Sequence, residues 1–175
     1  MKKILTLSTL ICCALPIAAP ARADVTLTDL QVGARALSFL QKPPAGDLRV
    51  GIVYAPGNAE SAREAADLQA MMEDGLKVGN VTLRPLRIKV TELASASVDF
   101  YFLTSGVAED AARVAVLTRQ KRIPCVTVDL AQVRNGACFM GVRSKPKIEI
   151  LVNRAAATSS GAAFSSVFRI MITEL

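Results

Sequence analysis

The stretch that decides the fold is KPKIEILVNRAAATSSGAAFSSVFRIMITEL, from Lys145 to Leu175. Its first part alternates along the chain, because single residues separate Ile148, Ile150 and Val152. A period of two residues is typical of a strand that buries one face. The stretch therefore predicts a strand over 147–152. Its second face, with Lys147, Glu149 and Leu151, is expected to lie outside the core.

A short helix and a closing helix are predicted after this strand. Asn153 ends the strand, residues 154–158 read as an Ala-rich helical turn, and Gly161 breaks that turn. Ser165 and Ser166 stand directly before a run of apolar residues, where a serine can cap the free amide groups of a helix. Nothing in this part of the chain resembles a catalytic site.

The closing helix is expected to carry apolar groups on more than one side. These residues are Val167, Phe168, Ile170, Met171, Ile172 and Leu175. A helix with this pattern is either buried in its own domain or in contact with a partner. The sequence leaves both alternatives open, and the candidate interface residues are Phe168, Met171 and Leu175.

Upstream of this stretch, predicted strands and helices alternate. We expect helices over 25–41, 58–77 and 107–121, and strands over 48–54, 80–90, 98–104, 125–128 and 137–142. The second helix has two candidate N-caps, Asn58 and the capping-box pair Ser61 and Glu64. The apolar run 98–104 suits a central strand, whereas Pro85 has no N–H to donate and indicates an edge strand.

The alternation predicts an α/β fold. In full, we expect one three-layer domain over 24–175 with a mixed, mainly parallel sheet. A C-terminal β-hairpin and the closing helix complete it.

The first 23 residues have the pattern of a cleaved signal peptide. Two lysines precede an apolar run over 4–19, and Ala21-Arg22-Ala23 is a small-x-small cleavage site. A membrane anchor is disfavoured because a spanning helix needs about 20 apolar residues. We therefore expect a periplasmic protein whose mature chain begins at Asp24, after cleavage behind Ala23.

Export would leave two of the four cysteines, Cys125 and Cys138, in an oxidising compartment. Each opens a predicted strand, so their Cα atoms can approach within the roughly 4.4–6.8 Å that a disulfide needs. The alternative is two separately buried thiols. We predict the disulfide.

Composition disfavours several classes of function. The chain has 21 basic and 15 acidic residues, and three of the basic ones fall in the signal, so the mature protein lacks the concentrated basic face of a nucleic-acid-binding protein. It has no histidine, the commonest general base, and two thiolates make only half of a typical zinc site. No phosphate-binding glycine pattern or nucleophile elbow occurs. We expect no enzyme, cofactor, metal or nucleic-acid partner.

Four acidic residues lie near predicted strand ends: Asp99, Glu109, Asp110 and Asp129. A pair of carboxylates can act as acid and base. Here, however, Glu109 and Asp110 are expected to be charges at a helix N-terminus, Asp129 a helix cap and Asp99 an edge or loop charge.

The C-terminal half also carries a family pattern. It has a strand led by proline, an acidic turn, a strand marked by glycine, and a charged strand that ends in asparagine. An alanine pair, a glycine and a serine pair follow. These are Pro124, Asp129, Gly136, Glu149, Asn153, Ala155-Ala156, Gly161 and Ser165-Ser166. Over roughly 31–175 the chain resembles the YfiR family of periplasmic regulators. It departs from that family in having no tryptophan, since many members carry a Trp-Pro segment after the first helix.

This resemblance implies a non-enzymatic repressor. Such a protein binds the periplasmic part of an inner-membrane diguanylate cyclase and lowers cyclic di-GMP signalling and biofilm formation. Repression of this kind is a population shift, in which the regulator prefers the inactive state of its target. The resemblance also implies a homodimer, and an outer-membrane lipoprotein as a further partner. The alternative is a small periplasmic ligand-binding module resembling half of a solute-binding protein, with its ligand at the carboxyl ends of the parallel strands.

Overall fold

The computed structural model describes residues 24–175 of the chain. The predicted signal peptide, with Ala23, lies outside the described residues. None of the helices within 24–175 combines the length and the apolar character needed to cross a membrane.

Strands and helices alternate as the sequence predicts. The strands are β1 (Gly46–Tyr54), β2 (Leu76–Val78), β3 (Val81–Lys89), β4 (Phe100–Leu103), β5 (Cys125–Thr127), β6 (Met140–Arg143), β7 (Glu149–Val152) and β8 (Thr173–Glu174). The helices are α1 (Leu27–Leu37), α2 (Ala59–Met71), α3 (Ala111–Lys121), α4 (Leu130–Arg134), α5 (Arg154–Ser159) and α6 (Ser166–Arg169).

The strands form one sheet in the order β2-β3-β1-β4-β5-β6-β7-β8. β3, β1, β4, β5 and β6 run parallel, and β8 is parallel to β7. The pairs β2–β3 and β6–β7 are antiparallel. The prediction of a mixed, mainly parallel sheet with a C-terminal hairpin is therefore confirmed.

The sheet has a hydrophobic core on each face. The core on the first face includes Phe100 and Phe102 of β4 together with apolar residues of α1, α2, α5 and α6. The core on the second face includes Tyr101 and Leu103 of β4 with Val114 of α3. Since all four β4 residues are buried, the prediction of a central strand covered on both faces is confirmed, and the domain has three layers.

The strand that contains Pro85 was predicted to be an edge strand, but β3 is second in the sheet because the short β2 pairs beside part of it. β2 reaches only as far as residues 81–83 of β3, whereas Pro85 lies opposite Val50 of β1. Its missing N–H therefore falls where β3 has no partner strand among the described residues on its outer side.

The second predicted helix, 58–77, is too long. α2 ends at Met71, and residues 76–78 form β2 instead. Gly75 and Gly79 have φ angles of 86° and 59°, in the left-handed region that glycine enters without steric cost. These two turns end the helix and fold the chain into a tight hairpin. Leu76, which the sequence placed on the helix, belongs to a strand.

The third predicted helix, 107–121, begins later than expected. Residues 105–110 form a 3₁₀ segment, and α3 follows from Ala111. The prediction of short helices after Asp129 and Asn153 is confirmed, because each of these side chains caps its helix.

The two ends of the predicted strand 147–152 differ from the prediction. Ile148 is 62% exposed and precedes β7, whereas Leu151 is buried against Leu130 and Val133 of α4. The face that was expected to lie outside the core is thus covered by α4 at its end. The alternation of residues in this strand predicted one buried face. It did not indicate that α4 would cover the other face.

The closing helix is a single turn. α6 covers only Ser166–Arg169, and its N-cap Ser165 makes no side-chain capping bond. The chain then extends as β8, which pairs in parallel with Leu151 and Val152 of β7. Pairing with β7 gives these last residues backbone partners that a longer helix would have supplied internally.

Candidate functional site

A crevice lies where the order of the parallel strands reverses. Among the parallel strands, β3 comes next after β1 in the chain and lies on one side of it, and β4 comes next after β3 and lies on the other side. The loops at the carboxyl ends of β1 and β4 therefore diverge, which is the topological switch point of an open α/β sheet. Ligands of such folds bind in the crevice between these loops.

The start of α2 forms one wall of the crevice. After β1, the Asn58 N–H donates to the Ala55 carbonyl oxygen at 3.0 Å and closes a tight turn. Asn58 Oδ1 then accepts from the Ser61 N–H at 3.0 Å and caps α2. Of the two candidate caps, Asn58 is thus the one used. Ser61 and Glu64 bind other parts of the fold with their side chains.

Two buried hydroxyl groups lie beneath the crevice. Thr104, directly after β4, donates from its hydroxyl to the Val53 carbonyl oxygen at 3.1 Å. Its Oγ1 is 2.6 Å from Ser61 Oγ, and Ser61 is the donor there because the Thr104 proton is already used. Ser61 Oγ accepts from the Ala55 N–H at 2.9 Å. These bonds join the loops after β1 and β4 to the start of α2.

A buried glutamine extends the network to β5. Gln132 of α4 donates from Nε2 to the Thr104 carbonyl oxygen at 2.8 Å, and its Oε1 accepts from the Thr127 hydroxyl at 3.1 Å. Buried polar groups are tolerated when they are hydrogen-bonded in this way. The network joins the carboxyl ends of β1, β4 and β5 and forms a hydrogen-bonded floor.

The crevice above this floor is large, open and acidic. Its volume is about 770 Å³. It is lined by residues 55–60, Val90, Thr91, Ser105, Gly106 and 108–110. The charged residues among these described positions are Glu60, Glu109 and Asp110, all acidic. A cleft lined by one sign of charge attracts molecules of the opposite sign.

The four acidic residues considered in the sequence lie in three places. Glu109 and Asp110 are in the 3₁₀ segment before α3 and face the crevice. Asp129 caps α4 by accepting from a backbone N–H at 3.0 Å. Asp99 accepts from the Arg49 N–H at 2.7 Å, far along β1 from the crevice. The roles expected of Asp129 and Asp99 are confirmed.

Cys125 and Cys138 form the predicted disulfide. Their Cα atoms are 4.7 Å apart, and the two cysteines lie 13 positions apart along the chain. Cys125 opens β5, Cys138 lies two residues before β6, and the Phe139 N–H donates to the Cys125 carbonyl oxygen at 3.1 Å. The closed loop contains α4, so the disulfide also holds Gln132 in place beneath the crevice.

The three candidate interface residues have different environments. Phe168 is 2% exposed, and its ring stacks on that of Phe39 with centroids 4.6 Å apart. Met171 and Leu175 are exposed. Burial within the domain, the alternative left open by the sequence, therefore describes Phe168, whereas the other two side chains are accessible. Asp24 is also exposed, and its Oδ1 lies 3.2 Å from Arg63 Nη2.

The alternative drawn from the sequence, a ligand at the carboxyl ends of the parallel strands, points to this edge of the sheet, and two of its lining acids, Glu109 and Asp110, were considered. The polar floor was not predicted. A partial signal for it is present, because Thr104 follows and Thr127 ends otherwise apolar strands. Carboxyl ends of parallel strands meet at one edge of a sheet, so polar residues there indicate a common site.

Comparison with known proteins shows the fold alone. No protein-family model and no curated protein matches the chain. It is similar to the crystal structure of an ABC domain in complex with L-Trp from Streptococcus pneumonia. That match has a TM-score of 0.59 and 14% sequence identity over 83% of this chain and 60% of that one.

A conserved domain protein from Vibrio cholerae O1 biovar El Tor strain N16961 gives a TM-score of 0.59 and 15% identity. That match covers 87% of this chain and 61% of the other. The chain thus spans about three-fifths of the length of each structure, and shares with them an α/β fold.

Proposed function

We propose that the protein is a non-catalytic binding domain that takes a small polar molecule in the switch-point crevice. The observation that carries this proposal is the position of the crevice, at the carboxyl ends of β1 and β4. This is where open α/β sheets bind their ligands. The likeness to a domain solved with L-Trp supports the proposal at the level of the fold.

The charge of the crevice selects the class of ligand. Glu60, Glu109 and Asp110 give it a negative potential, which favours a cationic amine over an anion. The floor of Ser61, Thr104 and Gln132 is internally hydrogen-bonded, so recognition falls to the walls. We therefore propose a small molecule that carries an amino group.

Calorimetric titration tests this proposal. The probes are putrescine and L-arginine as cations, and succinate as an anion of comparable size. Glu109→Gln and Asp110→Asn should each weaken amine binding about 10-fold, the effect of roughly 1.4 kcal/mol. Asp74→Asn removes a charge at an exposed position outside the crevice lining and should leave the affinity unchanged. Binding of succinate in preference to both amines, or equal losses in all three variants, would contradict the proposal.

A second candidate function follows from the family resemblance. In it, the protein is a YfiR-like periplasmic repressor that is exported after cleavage behind Ala23 and binds an inner-membrane diguanylate cyclase. The observation that favours it is a group of exposed apolar side chains in the C-terminal segment: Val167, Ile170, Met171 and Leu175. Contiguous exposed apolar residues are typical of protein interfaces. Self-association as a homodimer, or contact with the cyclase, would cover them.

Two measurements test the repressor. Deletion of the gene should raise cellular cyclic di-GMP where the cognate cyclase is expressed, and the Ile170→Asp protein should fail to restore the low level. Val116→Asp introduces the same charge at an exposed apolar position on α3, on the other face of the sheet, and should restore it. An unchanged cyclic di-GMP level after deletion would rule out repression without affecting the ligand proposal.

A further inference from the structure

A second, much smaller cavity lies beside the first described residues. It is lined by Asp24, Val25, Glu60, Arg63, Glu64, Asp67 and Ser105, and its volume is about 20 Å³. A space of this size holds one water molecule or one ammonium group. Val25 is buried and fixes the entering chain against α2, so that Asp24 is held at the rim of the cavity.

The cavity contains a carboxylate oxygen without a partner. Glu64 is only 8% exposed. Its Oε2 accepts from the Ser105 N–H at 2.9 Å, but its Oε1 is buried and has no hydrogen-bond partner among the described residues. A buried polar atom left without a bond is costly, and more so when it is charged.

The surroundings of Glu64 carry further negative charge. The pKa of Glu64 is raised above its ordinary value, chiefly by burial. The hydrogen bond from Ser105 acts in the opposite direction, and the charges of Glu60 and Asp129 raise the pKa further. Glu60, Glu64 and Asp67 stand at positions i, i+4 and i+7 of α2, on one side of the helix, where like charges repel. Arg63 is the basic residue among the described lining residues, and its guanidinium contacts Asp24.

We propose that this cavity receives the α-ammonium group of Asp24, which donates a hydrogen bond to Glu64 Oε1. The proposal rests on the predicted cleavage behind Ala23 and is independent of the crevice ligand. Hydrolysis by a signal peptidase adds water across the Ala23–Asp24 bond. It leaves a carboxylate on Ala23 and an amine on Asp24, which takes up the proton.

An α-ammonium fits the site in charge and size. It supplies a positive charge and donor hydrogens, as a terminal ammonium does, to a cavity that has one unpaired acceptor and several carboxylates. While the Ala23–Asp24 bond is intact, the same nitrogen is a neutral amide with one hydrogen. Cleavage therefore completes the packing of the N-terminus on α2. Because Glu64 also holds the Ser105 N–H, it ties the processed end to the loop after β4.

Thermal unfolding of two chains tests the proposal. One begins at Asp24, released from a fusion by a protease that leaves no extra residue, and the other carries Gly-Ser-Gly before Asp24. At pH 7 the first should unfold about 3 °C higher, as expected for one favourable ion pair in a domain of this size. Glu64→Gln should abolish the difference between the two chains. Glu73→Gln removes an exposed charge of the same type just after α2 and should preserve it.

The pH dependence separates an ion pair from simple crowding by the extension. An unpaired α-amine has a pKa of about 8, and pairing with Glu64 raises it in the folded state. With the Glu64 carboxyl ionised, the contribution of the amine is complete below about pH 8 and is lost as the pH rises through the folded value. Protonation of Glu64 removes the pair again at acidic pH. Asp24, Glu60, Arg63, Asp67 and Asp129 are the other charged groups facing Glu64.

Three outcomes would overturn the proposal. They are equal unfolding temperatures of the two chains, a difference that persists in Glu64→Gln, and a difference that does not change up to pH 10. If the Glu64→Gln chains fail to fold, NMR titration of the Asp24 α-amine in the unsubstituted protein decides. A pKa above about 8 supports the pair, and an ordinary or lower value overturns it.

Discussion

Gly106 shows how closely the loops of the crevice pack. A Cβ atom at this position would lie 2.6 Å from Ser61 Cβ and 2.9 Å from Asn58 Cγ. We expect Gly106→Ala to push the loop after β4 away from α2 and to lower the free energy of unfolding by about 1–3 kcal/mol, the usual cost of overpacking. Urea unfolding measures this change.

A second crevice glycine provides the control for this prediction. A Cβ atom at Gly57 meets no atom within 4 Å, so Gly57→Ala should leave stability unchanged or raise it slightly by restricting the unfolded chain. Equal stability losses in the two variants would show that the contact of Gly106 with Ser61 and Asn58 does not determine the packing of the loop.

Single residues were predictable where their partners are close in sequence. The caps Asn58, Asp129 and Asn153 each bind a backbone N–H two or three residues ahead, and such short-range bonds are visible in a local pattern. Ser61 and Thr104 are 43 residues apart, and Glu64 lies 41 residues from Ser105. Only the strand order brings these groups together, so polar residues at the strand ends indicate a shared edge of the sheet but not the individual hydrogen bonds of the polar floor.

At the scale of elements, we expect the disulfide to stabilise α4. The bond closes a loop that contains this five-residue helix, which is too short to be stable alone. Removing the bond in Cys125→Ser with Cys138→Ser should lower the free energy of unfolding by about 3 kcal/mol in the chain-entropy model. Hydrogen exchange should accelerate first in α4 and β6 and later in β1. Uniform acceleration over all strands would contradict this order.

The C-terminal segment after Ser165 contains both buried and exposed apolar side chains. Substitutions should affect stability only at the buried ones. Phe168→Ala removes a ring that contacts both Phe39 and Phe164 and should cost about 3–5 kcal/mol. Ile170, two residues on, is 85% exposed, and Ile170→Ala should change stability by no more than about 0.5 kcal/mol. Chemical denaturation of both variants checks the pair. A loss of several kcal/mol in Ile170→Ala would place this side chain in a contact, as in a dimer.

The closing helix was predicted to be longer than α6, and this error has a physical cause. The apolar residues from Val167 to Ile172 fit a helix by their composition, but β8 forms because β7 offers an unpaired edge to the last residues. Edge strands recruit backbone from any neighbouring segment, and the sequence of the segment alone does not reveal the edge. Likewise, the sequence did not predict the strand β2. This strand depends on the left-handed turns at Gly75 and Gly79, which are features of the folded chain.

At the scale of the whole molecule, the class of fold was predictable and the strand order was not. Alternating strands and helices indicate a layered α/β domain, because the apolar face of each element must be buried against another element. The order β3-β1-β4, which creates the crevice, depends on pairings between segments about 30 to 50 residues apart. No local period records such pairings, which are non-local contacts of the folded chain.

We expect the single sheet and the two cores that it carries to unfold together. The ionisation of Tyr101 can report this unfolding. Tyr101 is fully buried in β4, the central strand, and its hydroxyl donates to the Leu93 carbonyl oxygen at 3.4 Å. Burial raises the pKa of Tyr101. Its contribution to stability is therefore complete below the unfolded pKa, about 10, and is lost as the pH rises through the folded value.

The titration of Tyr101 should consequently coincide with alkaline unfolding. Tyr54→Phe leaves Tyr101 as the one tyrosine of the chain. In this variant, the absorbance change of tyrosinate at 295 nm should rise at the same pH at which the far-UV circular dichroism is lost, because the phenolate is accommodated only when both cores open. Tyrosinate formation in a protein with intact circular dichroism would show that the face covered by α3 opens independently of the face covered by α1 and α2.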